Sequence, residues 1–150
     1  MTLQLLPASP AHIGRIACNM RTIDRVECAA FGLDPRTALR RGLRESQRAW
    51  TAKVDGRPAA MFGVVTVSAI EGLGRPWMLG TDEVYSHGRA LLAMGPALIA
   101  AMLDSTPSLS NLVSAGNARA IRLLGRWGFT IDEERQMIGD TQFRTFWMAR

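Results

Sequence analysis

The stretch from residue 111 to residue 129, NLVSAGNARAIRLLGRWGF, restricts the possible folds of this chain more than any other part of the sequence. It predicts a short strand over residues 111–114, a helix that begins after Asn117, and a tight exit at Gly128. Asn is a strong helix N-cap because its side-chain oxygen accepts a hydrogen bond from an N–H group of the first turn, and a glycine after the last turn takes the left-handed conformation. The helix has an apolar face and a basic face, formed by Ala120, Ile121, Leu124 and Trp127 and by Arg119, Arg122 and Arg126. This pattern predicts a strand and an amphipathic helix of an α/β protein.

Turn and cap residues divide the rest of the chain into further strands and helices. Two kinds of pair mark the ends: an N-cap followed by proline at Ser9-Pro10 and Asp34-Pro35, and hairpin turns at Asp55-Gly56 and Gly139-Asp140. Predicted strands cover residues 3–6, 50–54, 59–67, 76–80, 111–114, 129–138 and 141–148, with a loop at 72–75. Predicted helices cover residues 10–20, the segment after Asp34, residues 86–103 and the segment after Asn117. We expect the helix over 86–103 to be buried on most sides and kinked or split at Gly95-Pro96.

The order strand, two helices, hairpin, strand, helix, strand, helix, hairpin predicts one α/β (α+β) domain over residues 1–150. We expect a mixed, mostly antiparallel twisted sheet of about six to seven strands with helices on both faces. A chain of 150 residues, 47% hydrophobic and 21% charged, suits one globular core. No apolar run reaches the ~20 residues of a membrane span, and the N-terminus lacks a secretory pattern, so we expect a cytoplasmic protein. Cys18 and Cys28 have neither metal-ligand nor disulfide-framework spacing, and we expect no bound metal.

Arginine supplies almost all of the positive charge, because Lys53 is the only lysine of a chain with a net charge of +5. Along the helix after Asp34, Arg36, Arg40, Arg44 and Arg48 lie four residues apart and predict a basic stripe. Such a stripe suits nucleic acid, an acidic partner or the phosphates of a ligand. Glu45 and Gln47 dilute it, and no aromatic residues interleave for base stacking. We therefore interpret the stripe as a solvated helix face and do not expect nucleic acid as a partner.

The spacing of Asn117, Ala120, Gly128 and Phe129 resembles the last motif block of the GCN5-related N-acetyltransferase (GNAT) fold. A wider pattern is similar to a subgroup of that fold, the small internal virion proteins of T7-like phages and prophages. That pattern consists of Trp77, Thr81, Asp82, Val84, Asn111, Gly116, Asn117, Ile121, Arg122, Leu124, Gly128, Glu133 and Glu134. The resemblance covers roughly residues 76 to 147, and the layout predicted from turns agrees with it.

The resemblance implies a site for acetyl-coenzyme A in a wedge between the fourth and fifth strands, the Trp77 strand and the Leu112 strand, which are expected to be parallel neighbours that splay apart. The cofactor-binding positions that it implies are Met78, Leu79, Gly80, Gly88, Arg89, Ser114 and Asn117. In the family, the backbone of the fourth strand pairs with the pantetheine arm, which here corresponds to Met78 and Leu79. Gly88 and Arg89 offer an amide and a guanidinium to the diphosphate. Asn117 is equally explained as a plain helix cap.

Two departures from the family pattern concern the chemistry. The family's glycine-rich loop, whose backbone N–H groups hold the diphosphate, is absent from residues 81–89, where Asp82 and Glu83 would repel an anion. Thr81-Asp82 more naturally caps a short helical turn. The family's tyrosine acid, four residues after the motif alanine, is replaced by Leu124, and general acid–base help is typically worth ~10² to 10⁴ in rate.

Four residues near the wedge are candidates for the missing proton transfers. Asp82, Glu83 and His87 are the candidate bases for an amine acceptor, and Tyr85 is the candidate substitute acid. Each of the four is also explained without a catalytic role, as a cap or loop residue. Two functions remain open at this point. One is an acyl-coenzyme A dependent N-acyltransferase with weak or lost catalysis, acting on an unidentified amine in the host cytoplasm. The other is a virion or assembly protein that uses the fold as a scaffold and contacts other phage virion proteins.

Overall fold

Seven strands form one mixed sheet in the computed structural model, which describes residues 2–150, with the spatial order β1-β2-β3-β4-β5-β7-β6. The strands are β1 (Leu3–Pro7), β2 (Ser46–Val54), β3 (Arg57–Ser68), β4 (Leu73–Gly80), β5 (Ser108–Ser114), β6 (Thr130–Ile138) and β7 (Thr141–Ala149). The helices are α1 (Ile13–Cys18), α2 (Thr22–Ala30), α3 (Pro35–Glu45), α4 (Asp82–Ser86), α5 (Gly88–Ser105) and α6 (Ala118–Arg126), with a 3-10 turn at Pro10–His12 before α1. The chain is a single α/β domain, and the predicted fold class is confirmed.

Strand β3 separates two hydrophobic cores, because successive side chains of a strand point to opposite faces of the sheet. Met61 packs with Ile16 of α1 and Leu39 of α3 on one face. Phe62, the next residue, packs with Leu98 of α5 on the other face, where α6 also packs. We refer to these as the α1–α3 face and the α5–α6 face. Helices therefore cover both faces, as predicted.

The predicted hairpin turns and the predicted helix caps at Asp34 and Asn117 are confirmed. Asp55 and Gly56 both have positive φ angles, 49° and 81°, which is the geometry of a type I′ hairpin turn between β2 and β3. Gly139, with φ of 57°, turns the chain between β6 and β7. The side chains of Asp34 and Asn117 accept first-turn N–H groups at 3.0 and 3.3 Å. Short-range chemistry therefore sets these boundaries.

Helix α2 is the main departure from the predicted order, which has two helices before the first hairpin where the structure has three. The chain breaks between α1 and α2 because Met20 forms an isolated β-bridge with Thr81, about 60 residues away along the chain. The N-cap of α2, Arg21, makes no side-chain cap bond within the described residues. A break caused by a distant strand, without a local cap, leaves no short-range signal in the sequence.

The predicted stripe of four arginines is wrong at one position. Helix α3 ends at Glu45 and β2 begins at Ser46, so Arg48 lies on a strand. Its guanidinium stacks over the ring of Trp50 at 5.0 Å, and Trp50 packs on the α5–α6 face, opposite α3. The predicted loop over residues 72–75 is also wrong for residues 73–75, which belong to β4.

Helix α5 is continuous across Gly95-Pro96, so of the two predicted outcomes, a kink or a split, the split is wrong. Pro96 lacks an N–H group, which leaves the carbonyl of Leu92 without its helical partner. The indole Nε1 of Trp127 on α6 donates to that carbonyl at 3.0 Å, and a Cβ at position 95 would clash with the same indole. The expected burial on most sides is wrong as well, because small residues form an exposed face: Ala90, Ala93, Pro96, Ala97 and Ala100.

Cys18 is exposed, Cys28 is buried, and both are free thiols. Residues 2–150 contain no helix with the length and apolar composition required to cross a membrane. The same residues contain no group of three or more His, Cys, Asp or Glu side chains placed to hold a metal ion.

Candidate functional site

The neighbouring strands β4 and β5 run parallel and then open into a wedge. Their ladder consists of two residue pairs, Leu73 with Ser108 and Gly74 with Leu109. Just beyond it, the Nδ2 of Asn111 donates to the carbonyl of Pro76 at 2.7 Å and spans the widening gap. A cavity of about 650 Å³ passes between the diverging strands, lined on one side by residues such as Trp77 and on the other by residues such as Leu98.

The edge of β4 that faces the wedge is partly occupied by α2. The N–H of Gly80 donates to Oδ2 of Asp24 at 2.9 Å, and the carbonyl of Gly80 accepts the N–H of Arg21 at 2.9 Å. Because strand backbone groups alternate between the two edges, the N–H and C=O of Met78 also face the wedge, whereas those of Leu79 face β3. The prediction that both residues offer open backbone to a ligand is therefore wrong for Leu79.

Helix α2 also occupies the edge of β5 that faces the wedge, again through a carboxylate that accepts a backbone N–H. Oε2 of Glu27 accepts the N–H of Ser114 at 2.8 Å and Nδ2 of Asn117 at 3.2 Å. Glu27 and Asp24 are three residues apart on α2, so they share one face of that helix. The two carboxylates thus each bind a backbone amide of a different diverging strand.

The guanidinium of Arg21 lies between these carboxylates and the start of α6. It donates to Oδ1 of Asp24 at 3.1 Å and to Oδ1 of Asn117 at 3.2 Å, and it stacks over the ring of Tyr85 at 4.1 Å. Arg21, Asp24 and Asn117 are all buried. A network of charged and amide groups, which we call the wedge network and define as Arg21, Asp24, Glu27 and Asn117, therefore ties α2 to β4, β5 and α6.

Burial changes the ionisation of two groups in the wedge. It raises the pKa of Asp24 to about 7, although the Gly80 N–H bond and the Arg21 guanidinium act in the opposite direction. Burial also raises the pKa of the Tyr85 phenol well above its ordinary value, with a further rise from the Asp24 carboxylate. Tyr85 is protonated at neutral pH, as an ordinary tyrosine is, and its raised pKa makes it a weaker proton donor.

The predicted cofactor-binding residues are only partly brought together. Met78, Leu79 and Asn117 line the cavity, while Gly80 and Ser114 lie at its edge with their amides bonded to α2. Trp77 does not fill the wedge. Its ring packs against Gly42 of α3 and Gly63 of β3, and its Nε1 donates to the hydroxyl of Ser46 at 2.7 Å.

The four candidate catalytic residues separate into one inside the cavity and three outside its lining. Tyr85 lines the cavity. The carboxylate of Glu83 accepts a hydrogen bond from Arg57 at 2.7 Å. This ion pair neutralises one of the two charges expected to repel a diphosphate. Asp82 is exposed. His87 has a buried Nε2 that lacks a hydrogen-bond partner among the described residues.

The segment that would meet the diphosphate is helical. Thr81 is the N-cap residue of α4, but its hydroxyl donates to the carbonyl of Ala59 at 2.8 Å, so the predicted side-chain cap is wrong. Gly88 and Arg89 are exposed in the first turn of α5, whose amides receive no side-chain cap within residues 2–150. This helix N-terminus is the remaining place for an anion. Leu124 lines the cavity where the family has its tyrosine.

Sequence reasoning misses Arg21, Asp24 and Glu27 because α2 itself is not predicted. The available signal is the i, i+3 spacing of two carboxylates in residues 22–30, beside an apolar stretch. That spacing is common on solvated helices. It indicates a functional role only once the fold shows that β4 and β5 lie next to the two carboxylates.

No protein-family model matches the chain, and no curated protein sequence does. Solved acetyltransferase structures match nearly all of it. AAC(6')-Ib in complex with ribostamycin and coenzyme A matches with a TM-score of 0.70 and 14% identity, over 100% of this chain and 94% of that chain. A GNAT-family acetyltransferase from Streptococcus pneumoniae matches with a TM-score of 0.64 and 16% identity, over 99% and 100% of the two chains. One from Bacillus anthracis matches with a TM-score of 0.71 and 9% identity, over 99% and 95%.

These matches and the wedge define the class: the chain has the fold of the GNAT acetyltransferases. The wedge between parallel neighbours β4 and β5 is where the resemblance in the sequence placed the cofactor.

Proposed function

We propose that the chain is a phage or prophage protein that binds an acyl-coenzyme A weakly at the wedge and transfers the acyl group to an amine slowly or not at all. One observation supports the weak binding: the amides of Gly80 and Ser114, one on each diverging strand, already donate to carboxylates of α2. The phage origin rests on the sequence resemblance alone. The arm of a cofactor in the wedge would compete for those donors. Hydrogen bonds to charged groups are worth ~1.5–3 kcal/mol each, so this competition lowers the affinity for any ligand that needs them.

The residues present fit the thioester arm of coenzyme A better than its diphosphate. Met78 offers an N–H and a C=O to the arm, Asn117 lies beside them, and the cavity has room for the acyl end. The diphosphate has no glycine-rich cradle and is left with Gly88 and Arg89 at the start of α5. When bound, coenzyme A supplies an activated thioester, and this chain supplies the wedge that orients it.

Proton transfer is the weakest part of the site. Leu124 cannot donate a proton to a departing thiolate, and Tyr85 is the cavity-lining candidate for that role. Asp82, Glu83 and His87 remain candidate bases, although none of them lines the cavity within the described residues. Orientation of two bound reactants supplies up to ~7–11 kcal/mol of a transfer reaction, but it requires a ligand that stays bound. Slow or absent turnover follows from both weaknesses.

An alternative role as a virion or assembly protein is supported by what the phage-like pattern residues do here. Asn111 joins β4 to β5, Trp77 locks α3 against the sheet, and Asn117 caps α6. These roles hold the fold together and require no ligand. In that case the chain would contact other virion proteins, and it would be found in the particle as well as in the host cytoplasm.

Calorimetric titration with acetyl-coenzyme A tests the proposal. We expect a dissociation constant above ~10 μM and no release of coenzyme A above background with generic amine acceptors. Arg89→Ala should weaken binding further, whereas Arg122→Ala, which removes the same charge from an exposed position on α6, should not. Leu124→Tyr alone should not restore turnover, because binding fails first.

Submicromolar affinity or robust turnover by the unmodified protein would contradict this proposal and make the chain an ordinary acyltransferase. Absence of any coenzyme A binding, together with recovery of the chain in purified phage particles, would favour the assembly role instead.

A further inference from the structure

The cavity in the wedge has two apolar ends. On the α5–α6 face it is lined by Leu98, Met102 and Phe146, and on the α1–α3 face by Leu33, Leu112 and Phe143. A volume of about 650 Å³ lies within the range of small-molecule pockets, ~300–1,000 Å³. An acetyl group has three heavy atoms and is too short to reach from one apolar end of the cavity to the other.

The middle of the cavity is polar but offers few free hydrogen-bonding groups. Asp24 binds Gly80 and Arg21, and Glu27 binds Ser114 and Asn117. A sugar or another polar ring would leave its own hydroxyl groups unpaired against the apolar walls, which is costly. A hydrocarbon chain has no such groups to satisfy.

The shape of the passage also selects the occupant. Its lining includes Met78 of β4 and Leu112 of β5, and the Asn111–Pro76 hydrogen bond joins these two strands just beyond their short ladder. A ligand that reaches from one apolar end to the other has to thread between two strands. An unbranched chain can do this, whereas a wide ring system would have to force the strands apart.

We propose that the cavity binds an unbranched acyl chain much longer than acetyl, threaded through the sheet between β4 and β5. Attachment of that chain to coenzyme A rests on the proposed function, but the chain-binding cavity does not. The chain can therefore come from an acyl-coenzyme A or from a free fatty acid. At the outer end on the α1–α3 face the lining includes Arg41, Glu45 and Arg75. Arg41 is paired with Glu45 at 3.9 Å, so Arg75 is the guanidinium better placed for the carboxylate of a free acid.

Two series of ligands test the proposal by calorimetry, below the concentrations at which they form micelles. One series is acetyl-, octanoyl- and dodecanoyl-coenzyme A, and the other is octanoate and dodecanoate. Burial of one methylene is worth ~0.8 kcal/mol, or about fourfold in affinity. We expect dodecanoyl to bind at least tenfold more tightly than octanoyl in one series or both, and the series with the tighter binding identifies the source.

A matched pair of variants locates the chain. Leu112→Trp places a large ring in the cavity and should abolish the dependence on chain length. Val26→Trp adds the same ring at an exposed position of α2 outside the cavity lining and should leave the dependence unchanged. Equal affinity of the unmodified protein for acetyl- and dodecanoyl-coenzyme A, with no binding of dodecanoate, would overturn the proposal even if Leu112→Trp failed to fold.

The outcomes also separate this proposal from the proposed function. If acetyl-coenzyme A binds and longer chains bind no more tightly, the chain-binding cavity is refuted while the proposed function stands. If dodecanoate binds and coenzyme A and its thioesters do not, the proposed function fails while the chain-binding cavity stands.

Discussion

Asn117 makes three hydrogen bonds with its one amide side chain. Its Oδ1 accepts from the backbone N–H of Ala120 at 3.3 Å and from Arg21 at 3.2 Å, and its Nδ2 donates to Glu27 at 3.2 Å. The helix cap that the sequence predicts is therefore confirmed. Both lone pairs of its Oδ1 are in use, so a contact with a cofactor would have to use the second N–H of its Nδ2.

Asn117→Ala should destabilise the protein by more than a cap alone, ~2–3 kcal/mol, because it also leaves the buried Arg21 and the half-buried Glu27 short of a partner. Asp34→Ala is the matched control, since Asp34 caps α3 at an exposed position. We expect the control to cost ~1 kcal/mol. Urea denaturation of both variants measures the difference, and equal losses would mean that the wedge network adds nothing to the cap.

Asp24 should make stability depend on pH. Its pKa rises from 3.8 to about 7 on folding, so between these values the folded chain holds a proton that the unfolded chain has lost. The contribution is fully present below about pH 4 and is lost as the pH rises through about 7. The unfolding free energy of the unmodified protein should therefore fall across this window relative to that of Asp24→Asn. Parallel pH profiles of the two proteins would show that Asp24 keeps an ordinary pKa.

At the scale of the elements, α5 and α6 are joined by a hydrogen bond that compensates for a proline. Trp127 reaches the carbonyl that Pro96 leaves unpaired, and Gly95 provides the space. Gly95→Ala should cost ~1–3 kcal/mol through overpacking against the indole. Gly125→Ala, on α6 with open space around it, should instead stabilise the protein by ~0.5–1 kcal/mol. Chemical denaturation decides between these opposite signs, and a neutral Gly95→Ala would mean that the two helices separate easily.

Elements defined by local chemistry are the ones that the sequence predicts. The turns at Asp55-Gly56 and Gly139 and the caps at Asp34 and Asn117 act within four residues, so their signals are present in short windows. Helix α2 and the end of α3 before Arg48 are set by pairing with distant strands, which no short window records. The predicted and the missed elements therefore differ in the sequence separation of the contacts that define them.

At the scale of the whole molecule, the two cores share one sheet and should unfold together. Leu39 is fully buried in the core on the α1–α3 face, and Leu39→Ala should cost ~2–5 kcal/mol. The variant should still show one transition, with tryptophan fluorescence and far-UV circular dichroism giving the same midpoint. Separate midpoints would mean that the core against α5 and α6 survives alone.

The candidate site was predictable in its location but not in its contents. The parallel neighbours and the position of Asn117 follow from the order of elements and from the resemblance. The groups that fill the wedge do not, because Glu27 and Ser114 are 87 residues apart and Arg21 and Asn117 are 96 apart. Such pairs can be recognised only after the chain is folded.

These separations along the sequence also indicate when the wedge network forms during folding. Closing loops of nearly a hundred residues costs more entropy than closing a hairpin, so contacts of this range form late in folding. During synthesis, the carboxylates of α2 emerge long before β5 and α6 exist to receive them. A partly made chain can therefore hold the antiparallel strands β1, β2 and β3 while its α2 carboxylates remain in water. We therefore expect the candidate site to form late, together with the strands that complete the sheet.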